Sequence, residues 1–317
     1  MSNDSANRNP ANILLDLVCL GNLSIDDVVL PDQTTRLNCF GGDTIYAALG
    51  ARWWSDSVRF VAPAGADFPE EHLAYLNRSG METRGLPRRS VPGVHYKVVY
   101  SNNNQREWTM LSEDGHFGEL SPTAADIPGD YLNSRAFLIL AMDLPAQEAL
   151  APVLRKHGVL ALDPQEEYIP GNEGRVLAML KHVDIFLPSK EEVFRILGHE
   201  DCERACRQFA EYGPVVVVVK MGQEGSLIYD SKSRHFYRIP VFKTKVIDTT
   251  GAGDTYSGGF LAMYIGSGDL LRAGLAGTVS ASFAIQDFGL THMFSIGRKE
   301  AEQRFRALEA SYKNGGA

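Results

Sequence analysis

The sequence predicts a three-layer α/β sandwich, in which helices cover both faces of a mostly parallel central β-sheet, with a small β-sheet inserted. Short apolar, β-branched runs recur without the alternation of a half-exposed strand, as expected for strands buried on both faces. Helical patterns separate these runs, which favours parallel strands joined by crossover helices. Two stretches of strand-like composition interrupt this order, and they predict the second, smaller sheet.

The core strands are expected at the apolar runs, and the helices at the periodic segments between them. The predicted core strands are residues 14–21, 58–65, 136–142, 159–163, 184–188 and 215–220. The predicted helices are residues 42–54, 69–79, 146–157, 189–197, 202–212, 254–265, 269–287 and 298–312. Together they predict one α/β domain over residues 13–312, preceded by a disordered polar tail, residues 1–12.

The small sheet is predicted from residues 23–39 and 86–111, the second of which carries a turn at residues 101–104. Both stretches lie between core elements, so they are expected to form a β-sheet inserted into the main domain. A plain surface hairpin is the alternative interpretation.

Composition limits the classes of partner. A chain of 317 residues with 44% hydrophobic and 22% charged residues can bury one large core. A net charge of −8 argues against nucleic acid or an anionic membrane as the main partner, so any phosphate binding must be local. The chain start lacks the basic residues and apolar run of a signal peptide, and no apolar stretch approaches about 18 residues. We therefore expect a cytoplasmic protein.

Residues 247–260, IDTTGAGDTYSGGF, carry the strongest indication of function. The turn formed by Gly251, Ala252 and Gly253 allows close approach of the backbone to a bound group. It leads into a predicted helix, whose free N–H groups attract an anion. A carboxylate beside an anion site is costly unless it takes a proton from a hydroxyl that attacks a phosphoryl group. Asp254 is therefore the candidate general base, and a simple helix cap is the alternative.

Other phosphate-binding motifs fail on spacing. The third glycine of the dinucleotide fingerprint would fall at position 256, which is Tyr256, and no Gly-Lys-Ser/Thr of a P-loop occurs. The full string instead resembles the second signature of the ribokinase-like (pfkB) family of sugar and nucleoside kinases. That resemblance implies that Asp254 is the catalytic base and that Gly251, Ala252 and Gly253 form an anion hole for the transferred phosphoryl group.

The resemblance extends over roughly residues 14–290 through further motifs in the family's order. It implies that Asp26 and Asp43 accept hydrogen bonds from sugar hydroxyls and that the backbone of Gly41 and Gly42 approaches the substrate. A carboxylate suits this task, because it is an acceptor with about four lone-pair sites. Taken alone, both aspartates are equally well explained as surface turn residues.

The segment after the run of valines resembles the family's T-x-G-x-x-G loop against the nucleotide phosphates. This assigns Lys220, Gly222 and Gly225 to nucleotide binding, with Lys220 in place of the family's Thr. Another departure is Tyr46, which stands where the family commonly has an Asn that touches the sugar. The identity of the acceptor is therefore open.

The resemblance also implies metal sites. Glu192 matches the acid of the family's N-x-x-E, which positions Mg²⁺ through water, although Ser189 replaces the Asn. Several subfamilies bind a monovalent cation such as K⁺ beside the anion hole. The corresponding positions are Asp248, Thr250, Ala284 and Gly289, and a cation-free loop is the alternative.

These observations together predict an ATP-dependent kinase that transfers the γ-phosphoryl group to a hydroxyl of a small sugar or polyol. ATP, Mg²⁺ and the acceptor are the expected ligands. The resemblance also implies that the small sheet forms a lid over the sugar and that the protein forms a homodimer through this lid. The sugar is ranked above a nucleoside because residues 23–45 supply no obvious aromatic platform for a base. A nucleoside kinase, or a catalytically weakened relative that binds a sugar or nucleotide for regulation, are the alternatives.

Overall fold

The computed structural model describes residues 14–101, 106–111 and 117–315. The predicted tail, residues 1–12, and most of the predicted turn at 101–104 lie outside these ranges. The strands of the described residues are β1 Leu15–Leu20, β2 Ser24–Val29, β3 Thr35–Gly41, β4 Val58–Val61, β5 Val94–Tyr100, β6 Arg106–Met110, β7 Ser134–Ile139, β8 Val159–Leu162, β9 Ile185–Phe186, β10 Val216–Lys220, β11 Ser226–Asp230 and β12 His235–Ile239. Their helices are α1 Asp43–Arg52, α2 Glu70–Arg78, α3 Phe117–Leu120, α4 Leu144–Leu154, α5 Glu173–Met179, α6 Lys190–Leu197, α7 Cys202–Glu211, α8 Ala252–Ser267, α9 Leu270–Ala284 and α10 Arg298–Lys313.

Two sheets form. The main sheet has the order β12-β11-β10-β9-β8-β7-β1-β4, and β10 through β4 are parallel neighbours. At one edge β11 and β12 add antiparallel to β10. The sequence prediction did not include these two strands or helix α5, because it rested on buried apolar runs that alternate with long helices. A short turn, with Arg234 at a φ of 56°, joins β11 to β12 instead.

Helices cover both faces of the main sheet, which confirms the predicted three-layer fold. Successive residues of β1 point to opposite faces, as the two-residue period of a strand requires. Leu17 and Cys19 pack in one core with α1, α8 and α9, whereas Val18 and Leu20 pack in the other with α4 and α7.

The close packing of α1 against α8 positions the functional residues. Gly258 of α8 lies against the backbone of α1, and a Cβ atom there would overlap the carbonyl oxygen of Ala47. A Cβ atom at Gly50 of α1 would likewise overlap the carbonyl oxygen of Thr255. Small residues therefore let α1 and α8 touch along their backbones.

The smaller sheet has the order β3-β2-β5-β6, so both predicted stretches contribute strands to it. Residues 86–93 do not join it and run along residues 62–66, just after β4, where Arg89 N donates to Ala64 O at 2.8 Å. Asp67 fixes the start of β5, because its carboxylate binds Gly93 N at 2.6 Å and His95 Nε2 at 2.8 Å. Across the described residues, no helix is both long and apolar enough to cross a membrane.

Candidate active site

The predicted site residues gather where the carboxyl ends of the parallel strands meet the first turns of α1 and α8. Asp163 directly follows β8 and Lys220 ends β10. Asp43 begins α1, and Asp254 lies in the first turn of α8. Ligands of open α/β sheets bind at this edge, because the strand ends and helix starts open there into a crevice.

The glycine turn before α8 has the geometry of an anion site. Gly251 is the N-cap, with a left-handed backbone at a φ of 70°, and Ala252 begins the helix. The turn is held in place by Thr255, whose backbone N and Oγ1 donate to Gly251 O at 2.9 and 2.6 Å. The first N–H groups of a helix have no partner within the helix, so they can bind an anion, although Ala252 N already donates to Thr249 O at 3.3 Å.

The carboxyl groups of Asp254 and Asp43 share a side-chain hydrogen bond across the contact between α8 and α1. Burial, and then the nearby charge of Asp163, raise the pKa of Asp254 to about 6, although the Lys220 ammonium opposes the shift. Burial and the charge of Asp254 raise the pKa of Asp43 well above its usual value. A hydrogen bond between two carboxyl groups requires a proton on one of them, and the raised pKa of Asp43 favours that residue as its holder.

A buried ion pair lies beside this pair of carboxyl groups. Lys220 Nζ donates to Asp163 Oδ2 at 2.5 Å, and Ser257 Oγ on α8 donates to the same oxygen at 2.7 Å. Burial lowers the pKa of Lys220, but Asp163, Glu192 and Asp254 together raise it above its ordinary value. The lysine is therefore charged at neutral pH.

Three buried polar atoms without hydrogen-bond partners belong to residues that follow β1 or lie at the start of α1. They are Asn22 Nδ2, Asp26 Oδ1 and Thr44 Oγ1, three of seven such atoms among the described residues. Unsatisfied buried polar groups are costly, so these three are candidate contacts for a ligand that supplies hydroxyl groups. Gly41 allows this arrangement, because a Cβ atom there would overlap the Asp26 carboxylate. Thr44 was missed in the sequence, where a Thr inside a helix gives no signal of its own.

An aromatic pair of the small sheet lies beside Asp26, and sequence reasoning missed it because its members do not lie in residues 23–45. The rings of Tyr96 and Trp108 are perpendicular, with centroids 5.5 Å apart. Tyr96 stands opposite Asp26 in the pairing of β5 with β2. Burial, and then the charges of Glu167, Asp43 and Asp26, raise the pKa of the Tyr96 hydroxyl.

The predicted nucleotide loop forms a tight turn between β10 and β11. Gly222 and Gly225 have positive φ angles of 56° and 86°, and Met221 N donates to Gly225 O at 2.8 Å. Of the three residues assigned to the nucleotide, Lys220 lies among carboxylates of the site: it binds Asp163, and the charges of Glu192 and Asp254 act on it.

The predicted magnesium residue is a buried carboxylate at the start of α6. Ser189 N donates to Glu192 Oε2 at 2.6 Å, and Ser189 Oγ accepts from Glu192 N at 3.1 Å, so the two residues cap the helix reciprocally. Burial raises the pKa of Glu192 to about 8, while Lys220 lowers it and Asp163 raises it. No cluster of three or more His, Cys, Asp or Glu side chains suited to a metal occurs in the described ranges. Glu192 therefore fits an ion held through water better than one held by a protein cage.

Of the four residues predicted to bind a monovalent cation, Asp248 and Thr250 are hydrogen-bonded to each other. Asp248 Oδ1 accepts from Thr250 N at 2.9 Å and from Thr250 Oγ1 at 2.7 Å. Asp248 N lies 3.4 Å from the carbonyl oxygen of Ile285, the residue after Ala284 at the end of α9. Gly289 follows in the next loop with a φ of 68°.

Comparisons with known proteins identify the family. The profile of the pfkB family carbohydrate kinases matches residues 14–296. The chain is 31% identical over 259 residues to the cytidine kinase of Thermococcus kodakarensis, across 79% of this chain and 89% of that protein.

Solved structures show the same fold. The ribokinase of Arabidopsis thaliana, solved with ribose and ATP, superposes with a TM-score of 0.75 at 20% identity, over 92% of this chain and 99% of that one. An Escherichia coli protein solved with ATP and Mg²⁺ superposes with a TM-score of 0.77 at 19% identity, over 93% of this chain and 100% of that one. The chain belongs to the pfkB family of carbohydrate kinases, phosphotransferases that use an alcohol group as acceptor.

Proposed function

We propose that this protein transfers the γ-phosphoryl group of ATP to a hydroxyl group of a small sugar or polyol. The observation that carries the proposal is the position of Asp254. Its carboxyl group lies in the first turn of α8, next to the anion-binding glycine turn, and it shares a hydrogen bond with Asp43. Asn22, Asp26 and Thr44 offer buried polar atoms without hydrogen-bond partners, and Asp26 is close enough to Asp43 for its charge to act on it.

In the proposed reaction Asp254 takes the proton of the acceptor hydroxyl as its oxygen attacks the γ-phosphorus. The N–H groups of Gly251, Ala252 and Gly253 stabilise the charge that develops on the transferred group, since they are fixed in place before the reaction. Asp26 and Asp43 accept hydrogen bonds from other acceptor hydroxyls, and the backbone at Gly41 and Gly42 lets the acceptor come close.

ATP and Mg²⁺ are proposed because an Escherichia coli protein of the same fold was solved with both. Lys220, Gly222 and Gly225 would lie along the nucleotide phosphates, with Lys220 at the γ-phosphate, and Glu192 would orient the water shell of the ion. Magnesium supplies positive charge to the phosphate oxygens.

A nucleoside is the second candidate acceptor. The perpendicular pair of Tyr96 and Trp108 in the small sheet offers an aromatic surface that a base can contact. Phe117 and Tyr168 form another aromatic pair, with centroids 5.7 Å apart. The likeness to a cytidine kinase, at 31% identity, supports the same acceptor class.

The test is a coupled assay of ADP release with ATP and Mg²⁺ over a panel of sugars, polyols and nucleosides. Acceptor-dependent release with members of one class supports the kinase and identifies that class. Silence over the whole panel, with ATP binding retained by calorimetry, would instead support the weakened regulator suggested by Ser189 and Tyr46.

We also propose a monovalent cation site at Asp248, Thr250, Ala284 and Gly289, supported by the proximity of Asp248 to the end of α9. Potassium is expected to raise turnover relative to a bulky organic cation at equal ionic strength. An Asp248→Asn variant should lose this response, and an equal rate in both salts would argue against the site.

The small sheet is proposed to act as a lid over the acceptor and as a dimer surface. Its aromatic residues lie near Asp43 and Asp26, whereas Leu37 on β3 is 66% exposed. Amide protons of β2, β3, β5 and β6 should exchange more slowly when acceptor is bound. Light scattering should show a dimer that Leu37→Glu dissociates, and a monomeric wild-type protein would contradict the dimer.

A further inference from the structure

We infer that Lys220 is a catalytic residue, whose ammonium group contacts the transferred phosphoryl group and holds Asp254 in its charged form. The inference rests on the proposed phosphoryl transfer and goes beyond nucleotide binding. It assigns the residue to the chemical step, where charge moves, rather than to the affinity for ATP.

The position of the side chain is the first argument. Lys220 is the last residue of β10, and its side chain is only 13% exposed. A Cβ atom added to Gly253 would lie 3.3 Å from Lys220 Nζ, 3.8 Å from Cε and 3.9 Å from Cδ. The lysine therefore runs beside the second residue of α8, at the mouth of the anion hole, and the missing side chain at Gly253 leaves it room.

The second argument is how the ammonium group is held. Asp163 Oδ2 accepts from Lys220 Nζ at 2.5 Å, and Ser257 Oγ donates to that oxygen at 2.7 Å. An ammonium group has three donors, so a single bond to Asp163 leaves others for phosphoryl oxygens. Since Ser257 also binds Asp163, the carboxylate stays oriented while the ammonium engages its second partner.

The third argument is the charge around the base. Asp254 faces Asp43 and Tyr46 on α1, Asp163 after β8 and Lys220 at the end of β10. Among these neighbours, Lys220 carries the positive charge, and its ammonium opposes the rise in the pKa of Asp254 caused by burial and Asp163. Removing that charge should leave the base protonated at a higher pH.

The step balances without a proton from the lysine. The acceptor oxygen forms a bond to the γ-phosphorus, its proton passes to Asp254, and the bond from the γ-phosphorus to the β–γ bridging oxygen breaks to release ADP. The ammonium group of Lys220 stays protonated and compensates the charge that accumulates on the phosphoryl oxygens.

The variants are Lys220→Met, which removes the charge at similar length, and Lys220→Arg, which retains it. Lys181→Met, at an exposed lysine, is the matched control. For Lys220→Met we expect kcat to fall by about 10² to 10³, the usual cost of losing one preorganised donor, while the KM for ATP changes less than about threefold. The acid limb of the pH profile of kcat should move upward in Lys220→Met and stay in place in Lys220→Arg.

A second measurement does not depend on the acceptor. Calorimetry compares the binding of ADP·Mg²⁺ alone with that of ADP·Mg²⁺ and aluminium fluoride, which mimics the phosphoryl group in transfer. Lys220→Met should bind ADP as the wild type does and lose at least about tenfold in affinity for the fluoride complex. This loss would support the inference even if every acceptor in the panel proved inactive, in which case only the proposed acceptor chemistry would fail.

Lys220→Met leaves the buried Asp163 carboxylate without its charged partner, which can destabilise the protein. The double variant Lys220→Met with Asp163→Asn removes this unpaired charge. It should show the same selective loss of the fluoride complex. Equal losses for ADP and for the fluoride complex, or a kcat within twofold of wild type with an unmoved acid limb, would overturn the inference.

Discussion

The aromatic ring of Tyr46 lies directly against Gly251, so closely that a Cβ atom at position 251 would overlap ring carbons. Gly251 begins the anion-binding turn, and its φ of 70° is in the left-handed region that favours glycine. The tyrosine stands where the family commonly has an asparagine. In this chain the Tyr46 ring therefore packs against the glycine turn and supports it.

Gly251→Ala should destabilise the protein by about 2 kcal/mol or more, since it combines a left-handed non-glycine residue with an overpacked ring. Turnover should fall with it, as the anion hole is displaced. Gly268→Ala is the control, because Gly268 has a φ of 69° but no atom near the added Cβ. Thermal denaturation and kcat measure both effects. Adding Tyr46→Ala should recover part of the loss in Gly251→Ala, and no recovery would mean that the ring contact is unimportant.

The dependence of kcat/KM on pH should show an acid limb near pH 6. Burial and Asp163 raise the pKa of Asp254 to about 6, and only the ionised carboxylate can accept the acceptor's proton. Activity should therefore be retained at pH 7 to 8 and fall about tenfold per pH unit well below 6. A profile that is flat down to about pH 4.5 would show that the base is not this buried group.

Asp26→Asn should make the protein more stable at pH 8 and weaker in binding the acceptor. Burial raises the pKa of Asp26 to about 7, so between about pH 4 and 7 the folded protein keeps a proton that the unfolded chain loses. The carboxyl group thus lowers the free energy of unfolding as the pH rises through this range. We expect the variant to gain about 1 to 3 kcal/mol at pH 8 and little at pH 4, with an acceptor KM at least about tenfold higher. Chemical denaturation at the two pH values measures the gain, and an equal effect at both would contradict it.

Thr44→Val should raise the KM for the acceptor by about tenfold without lowering stability. The Thr44 hydroxyl is buried and has no partner, so an isosteric methyl group removes an unsatisfied polar atom. Thr109→Val, at an exposed position of β6, is the control. Steady-state kinetics measure the KM for the acceptor, and the thermal midpoint measures stability. A reduced thermal midpoint with unchanged KM would place the hydroxyl in a structural role.

The sequence predicts the fold and the glycine turn before α8 well, because both rest on local patterns. Buried strands alternate with helices, and the string from Asp248 to Phe260 specifies a glycine turn before a helix without tertiary information. Asp43 and Asp254 also follow from their motifs. Their shared hydrogen bond does not, since it depends on the backbone contact of α1 with α8.

Other features depend on which chain segments meet in space. Lys220 and Asp163 end different strands, and only the order of β8, β9 and β10 brings them together. The pairing of β5 with β2 brings Tyr96 beside Asp26, although the two residues are far apart in the sequence. Trp108 on β6 packs against Tyr96. The unpartnered hydroxyl of Thr44 becomes informative only once its burial is known.

The most direct test of this account is the turnover of Asp254→Asn. Asparagine is nearly isosteric and caps a helix start well but cannot accept the proton, so kcat should fall by about 10² to 10⁴ while the thermal midpoint stays close to wild type. Asp269→Asn, at the N-cap of α9 where the side chain accepts from Arg272 N at 3.0 Å, is the matched control and should keep full activity. A folded Asp254→Asn enzyme with near wild-type kcat would contradict the assignment of the base and the mechanism built on it.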